Sequence, residues 1–268
     1  MEYLLSAWSG VAKQLGSASH ILLLLDYDGT LTPIVQSPEL ADLTDGVRQL
    51  LEALARQRRL TLVIISGRAL VDLKGKVGIS NIIYAGNHGL EIEGPQISFV
   101  SPAAEESKPF LRQLHGELSQ ALGAIEGVLV EDKGLTLSVH YRQVADDKSI
   151  EVRRIFERIT GDAARSGRIR ITSGKKVYEI RPAVAWDKGE VVKMLMARCG
   201  KGGRKRGLLP IYLGDDLTDE DGFRVIENYG SGISVFVGER DSPSSARYFL
   251  RSPDEVAKFL SLMLEETR

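Results

Sequence analysis

The sequence predicts an α/β protein: a parallel sheet flanked by helices, with a smaller α+β unit threaded through it. Three observations carry that prediction. Short apolar runs rich in Leu, Ile and Val alternate with segments of helical periodicity, the pattern of strands buried on both faces and joined by crossover helices. The chain between Ser66 and Asp187 is far longer than the crossovers needed to continue such a sheet, so an insertion sits there. Several apolar runs also end in small and charged residues, as strands do where an open parallel sheet binds its ligand.

The first strand is ILLLL (21–25), which runs into Asp26 and Asp28. A helix follows over 45–57, and the second strand, LTLVII (60–65), ends at Ser66-Gly67-Arg68. The third, NIIYA (81–85), ends at Gly86-Asn87-His88-Gly89. Next come a hairpin around GLEIEGPQISFV (89–100), a helix over 108–122, strands over 128–132 and 135–141, a helix over 147–160, and strands over 168–172 and 176–181. Helices leading into antiparallel pairs predict a separate α+β unit over 105–182, leaving 1–104 and 183–268 to the sheet domain. Hinges are expected at 101–108 and 181–187, where SP, KP and RPAVAW interrupt regular structure. The sheet then resumes with a helix over 187–200, the strand LLPIYL (208–213) ending at Gly214-Asp215-Asp216, a helix over 217–228, and the strand ISVFV (233–237). The first twenty residues match no pattern.

At 268 residues and 43% hydrophobic the chain can bury one large core or two modest ones, which excludes disorder. Lys and Arg number 35 against 36 Asp and Glu, so no net field favours nucleic acid or an anionic membrane. The one basic run, KGGRKRG (201–207), lacks interleaved aromatics and reads as a solvated connection. Cys199 is the single cysteine, which excludes an intramolecular disulfide and fits a reducing, cytoplasmic setting. The early ILLLL run is broken by Asp26 and has no basic stretch before it, so neither a signal peptide nor a spanning helix is expected.

Asp26, Asp28, Asp215, Asp216 and Asp219 all fall at strand ends on one edge of the sheet. Carboxylates gathered there repel one another unless a cation neutralises them, and oxygen-only ligands with room for waters and a phosphate oxygen favour Mg²⁺. Taken singly, DGT and GDD are also ordinary turn and cap residues. Ser66 at a strand end and Lys188 at a helix start would supply a hydroxyl, backbone N–H groups and an ammonium to one phosphoryl group.

The ordered set Asp26-Tyr27-Asp28-Gly29-Thr30, Ser66, Lys188 and Gly214-Asp215-Asp216 with Asp219 resembles the four motifs of the haloacid-dehalogenase-like phosphohydrolases. The resemblance implies a Rossmann-like parallel-sheet core with an inserted α+β cap. It implies Asp26 as nucleophile, Asp28 as general acid and base, Ser66 and Lys188 as holders of the transferring oxygens, and Mg²⁺ on Asp26, the Asp28 carbonyl and Asp215. Related transport ATPases carry Thr at the position of Asp28 and dehalogenases lack the second carboxylate, which leaves phosphatase or mutase. The insertion after Ser66 is where the larger, type-two cap sits. Six segments, DYDGTLTPI (26–34), GNHGLEI (86–92), EDKGLTLSVHYR (131–142), GKKVYEIRP (174–182), WDKG (186–189) and YLGDDLTDED (212–221), are similar to those of the trehalose-6-phosphate phosphatases. That likeness implies sugar-binding roles for Glu131, Lys133, Arg142, Lys176 and Glu179, with Arg68, Asn87 and His88 as further substrate-site residues. The expectation is a Mg²⁺-dependent hydrolase of trehalose 6-phosphate, monomeric, with a separate trehalose-6-phosphate synthase as its conceivable partner. The alternatives are a phosphatase of sucrose, glucosylglycerol or mannosylglycerate phosphate, and a catalytically silent regulatory domain.

Overall fold

The computed structural model describes residues 1–35, 37–174, 176–200 and 207–267; the basic stretch 201–206 lies outside them. In chain order the elements are β1 (Glu2–Tyr3), α1 (Trp8–Ser17), β2 (His20–Asp26), α2 (Asp45–Ala55), β3 (Leu60–Ile65), α3 (Leu70–Val77), β4 (Ile83–Gly86), β5 (Glu91–Gly94) and β6 (Ile97–Val100). There follow α4 (Pro102–Leu122), β7 (Leu129–Asp132), β8 (Leu137–His140), α5 (Asp146–Arg165), β9 (Ile169–Gly174) and β10 (Val177–Pro182). The chain closes with α6 (Lys188–Cys199), β11 (Leu208–Gly214), α7 (Glu220–Tyr229), β12 (Ile233–Val237), β13 (Tyr248–Leu250) and α8 (Pro253–Thr267). They divide into two compact units, Met1–Phe99 with Trp186–Arg268, and Val100–Ala185.

The first unit is built on a nine-stranded sheet in the order β1-β13-β12-β11-β2-β3-β4-β5-β6. Neighbours from β1 through β4 run parallel, and β5 turns antiparallel on β4. All seven residues of β2 are buried because its side chains alternate between two filled layers. Ile21, Leu23 and Leu25 join the layer of Val11, Leu51 and Phe259 from α1, α2 and α8. Leu22 and Leu24 join that of Val191, Leu195, Phe223 and Ile226 from α6 and α7. A fully buried leucine contributes about 2 kcal/mol by area, so this strand can carry a buried acid at its end without losing its place. Residues 1–20, unreadable from sequence, form β1, paired in parallel with β13 (Glu2 opposite Tyr248), and α1, whose Trp8 meets Phe259 edge-on at 6.1 Å.

The second unit is a four-stranded antiparallel sheet, β7-β8-β10-β9, with α4 and α5 contributing to its core. Leu111, Leu114, Leu118 and Leu122 of α4 recur at helical spacing and meet Leu137, Val139 and Ile180 of the sheet and Val152 and Phe156 of α5. Helix α4 begins six residues earlier than its predicted start at 108. Ser101 caps it, its hydroxyl accepting from the Ala104 N–H at 3.4 Å; Pro102 takes the first helical position and Pro109 is accommodated inside. The expected hinge at 101–108 is therefore helix from Pro102 onward. Among the described residues no helix is long and apolar enough to cross a membrane.

Candidate active site

Two strand ends and two helix starts in the first unit assemble the acidic centre. Asp26 closes β2 and is buried. Lys188 opens α6 behind Asp187, whose side chain accepts from the Glu190 N–H at 3.0 Å and so caps the helix. A cation in a first helical turn opposes the macrodipole. Lys188 is buried there because its Nζ donates to Asp26 Oδ1 at 2.7 Å and to Asp219 Oδ1 at 2.6 Å. Asp219, wholly buried, also accepts from the Tyr212 hydroxyl at 2.7 Å, and its Oδ2 accepts from the N–H groups of Asp215 and Asp216 at 3.1 Å each. Gly214 makes that wrap feasible, since a Cβ there would run into the Asp219 carboxylate.

Oxygens of Asp26, Asp215 and Asp219 lie within 4.8 Å of one another. Lys188 supplies a single positive charge against the three. Burial, with Asp219 and Asp215 adding to it and Lys188 opposing, pushes the Asp26 carboxyl well above the usual range. Burial and the neighbouring carboxylates push Asp215 up to about 8 and, against the pull of Lys188, Asp219 to about 6. Burial alone would lower Lys188, but Asp219 and Asp26 hold its ammonium well above the ordinary lysine value. A hard-oxygen cluster short of positive charge suits a divalent cation. Asp219 already accepts on both oxygens, so Asp26 and Asp215 have the lone pairs to offer. Asp216 stands outside this trio: its Oδ1 accepts from the Thr218 N–H (2.8 Å) and hydroxyl (2.6 Å). Gly29 adopts φ +91°, and any Cβ there would strike the Asp215 carboxylate, which explains the glycine in DxDGT.

The Asp28 carboxylate is not one of the trio. Arg68 holds it at both oxygens, Nη2 to Oδ1 at 2.7 Å and Nε to Oδ2 at 2.8 Å. Ser66 directly follows β3, and its hydroxyl accepts from the Arg68 N–H at 3.1 Å. Asn87 and His88, both buried, carry left-handed backbone (φ 49° and 57°) at the end of β4. Asn87 Nδ2 donates to Glu91 Oε1 at 2.7 Å, an oxygen that also accepts from the Leu70 N–H at the start of α3. The His88 ring lies where a Cβ on Gly67 would be 2.6 Å from its Cε1. Thr30 keeps a buried hydroxyl with no hydrogen-bond partner among the described residues, the sort of orphan a ligand commonly satisfies.

In the second unit the sheet face opposite the leucine core is polar. Register places Glu131, Ser138, Glu179 and Thr172 in one row across β7, β8, β10 and β9. Lys133 Nζ lies 3.2 Å from Glu179 Oε1 and 4.0 Å from Glu131 Oε2, so these three candidates come together. Lys176 stands apart at the exposed hairpin end, 2.7 Å from Asp146, and Arg142 is half-buried just beyond β8. Sequence reasoning missed His140, whose Nε2 is 2.8 Å from Glu131 Oε2, and Ser138, whose hydroxyl donates to Glu179 at 3.3 Å. It also missed Arg181, two positions beyond Glu179, whose buried Nε–H has no partner among the described residues. The alternation along LSVH and VYEIRP places Ser138, His140, Glu179 and Arg181 opposite the buried residues and would have identified them.

A parallel sheet whose strand ends gather an aspartate pair, a buried lysine and a GDDxxD loop, interrupted by an α+β unit, defines the haloacid-dehalogenase-like hydrolase class. The trehalose-phosphatase family model matches residues 24–254, and the chain belongs to that family. It is 35% identical over 254 residues to probable trehalose-phosphate phosphatase D of Arabidopsis thaliana, covering 91% of this chain and 67% of that protein. Probable trehalose-phosphate phosphatase 3 of Oryza sativa subsp. japonica is 34% identical over 280 residues, 97% of this chain and 73% of the relative. Among solved structures, the C-terminal domain of trehalose-6-phosphate phosphatase from C. albicans superposes with a TM-score of 0.83 at 26% identity, over 96% of each chain.

Proposed function

We propose that this chain hydrolyses trehalose 6-phosphate to trehalose and inorganic phosphate, with Asp26 as the nucleophile. The observation that carries the reading is the Lys188 ammonium 2.7 Å from Asp26, beside Asp215, at the end of the central strand. Asp26 attacks phosphorus in line, the P–O bond to the sugar breaks, and Asp28 delivers a proton to the leaving oxygen. Water then attacks the acyl phosphate, Asp28 takes its proton, and phosphate leaves as the Asp26 carboxylate is restored. Lys188 and Ser66 hold the equatorial oxygens as charge spreads over them. Mg²⁺ is the cation this donor set suits, held by Asp26, Asp215 and the Asp28 carbonyl; when bound it neutralises the carboxylates and the transferring phosphoryl group.

Residues 105–182 serve, by this reading, as the cap that supplies sugar recognition. Glu131, Lys133 and Glu179 offer acceptors and a charged donor to a ligand covered in hydroxyls, and a site built for hydroxyls discriminates strongly against ligands lacking them. A single cysteine supports a reducing cytoplasm, where the chain would act as a monomer on substrate that a separate synthase supplies. The test is a phosphate-release panel of trehalose 6-phosphate, sucrose 6-phosphate, glucosylglycerol phosphate, mannosylglycerate phosphate and p-nitrophenyl phosphate, each with Mg²⁺ and with chelator. Highest kcat/KM on trehalose 6-phosphate, lost with chelator, is expected. Preference for another member would reassign the sugar, and no turnover at all would refute the enzymatic reading.

A further inference from the structure

Arg68 follows the strand-end Ser66 closely enough to suggest a phosphate ligand, yet its donors are already committed. A guanidinium has five N–H groups. Nε donates to Asp28 Oδ2 at 2.8 Å, Nη2 donates to Asp28 Oδ1 at 2.7 Å and to the Pro38 carbonyl at 2.8 Å, and Nη1 donates to Asp72 Oδ2 at 2.8 Å. Among the described residues, one N–H on Nη1 has no such assignment. The residue is buried, with its guanidinium carbon 5.3 Å from the Tyr27 ring centroid, so ring and anchors fix it from several sides. Asp28 differs: its side chain is 42% exposed, and without the fork it would be free to change rotamer. A bidentate fork fixes both the position and the plane of a carboxylate while leaving its remaining lone pairs open.

We propose that Arg68 is a positioning residue that fixes the Asp28 carboxylate for proton transfer, and not a ligand of the substrate's phosphoryl group. The inference rests on the reading of Asp28 as acid and base given above. Its clearest expression is the second half-reaction. Water's oxygen bonds to phosphorus, the bond from phosphorus to Asp26 breaks, and the water proton passes to an Asp28 oxygen whose direction Arg68 sets. Arg68 itself exchanges no proton.

The experiment compares wild type with Arg68→Gln, Arg68→Lys and Asp72→Asn in Mg²⁺, measuring kcat and KM on trehalose 6-phosphate, inhibition by inorganic phosphate, and the steady-state level of ³²P-labelled enzyme. Misplacing an acid–base group costs about 100-fold, so Arg68→Gln is expected to lower kcat by that order. The phosphate inhibition constant should stay within about twofold, because ground-state binding is untouched, and KM should stay level or fall as the intermediate accumulates, never rise. Labelled enzyme should accumulate as its hydrolysis slows. Arg68→Lys keeps the charge without the fork and should recover only part of the rate. Asp72→Asn weakens one anchor without touching Asp28, should lower kcat less and in the same direction, and decides the matter if the Arg68 variants do not fold. A weakening of phosphate inhibition and KM with kcat retained would make Arg68 a substrate ligand and overturn the proposal. A rise in kcat, or an unchanged kcat in the variants that fold, would overturn it too. Wild-type protein that turns over no ester would instead remove the phosphatase reading beneath it.

Discussion

Replacing Asp215 with Asn should make the metal-free protein more stable at pH 8 while destroying its response to Mg²⁺. The Asp215 carboxyl binds its proton more tightly folded than unfolded, since burial and the charges of Asp219 and Asp216 raise it from 3.8 to about 8. Stability from that proton is fully present below the unfolded value and is lost as pH rises through the folded one. A rise of about 4 units at about 1.4 kcal/mol each sets a ceiling of about 5 kcal/mol for one group. Asp26 and Asp219 share the same burial, so a loss of about 2–5 kcal/mol between pH 4 and 8 is expected, roughly 10 °C in the unfolding midpoint. Asn has the same shape and no charge, so the metal-free variant should show a clearly shallower decline. Differential scanning calorimetry across that pH range, in chelator and then in Mg²⁺, reads both effects. Wild type should regain its midpoint on adding Mg²⁺ at pH 8, and the variant should not. Superimposable pH curves for the two proteins in chelator would refute the electrostatic reasoning.

Other substitutions probe the remaining parts. Glu131→Ala should raise KM for trehalose 6-phosphate about 10- to 100-fold, the loss of a hydrogen bond to a charged group, and leave p-nitrophenyl phosphate within about twofold. Equal losses on both substrates in steady-state assays would assign Glu131 a structural role. Gly29→Ala forces a side chain into left-handed backbone and against Asp215; a cost of about 1–2 kcal/mol in urea unfolding and a weakened Mg²⁺ dependence are expected. Tyr212→Phe removes one donor from Asp219 and should cost about 1 kcal/mol of stability by the same measurement, with kcat reduced as Lys188 loses part of its fixed partner. An unaltered kcat would show that the lysine is held without it.

The parts of the fold legible in the sequence are those whose signal is local. LTLVII and ISVFV are strands Leu60–Ile65 and Ile233–Val237 because both faces are buried and no register has to be inferred. Strand β1 has two residues and a partner at Tyr248 and Phe249, so no period exists to read. Helix α3 was missed because LVDLKGKV carries a glycine and two lysines within its short span. The same division runs through the site. DxDGT and GDDxxD announce themselves by composition, whereas the fork from Arg68 to Asp28 is created by the parallel pairing of β2 with β3 and has no sequence spacing of its own. Lys176 was grouped with Glu131 by motif, but its left-handed turn (φ 59°) accompanies an ammonium directed to Asp146.

The central claim is covalent phosphorylation of Asp26, and chemical trapping reads it directly. Enzyme mixed with trehalose 6-phosphate and Mg²⁺, quenched, reduced with borohydride and digested should yield homoserine at position 26, since an acyl phosphate reduces to that residue and a free carboxylate does not. Turnover with Asp26 unmodified, or with the reduced residue at another aspartate, would contradict it.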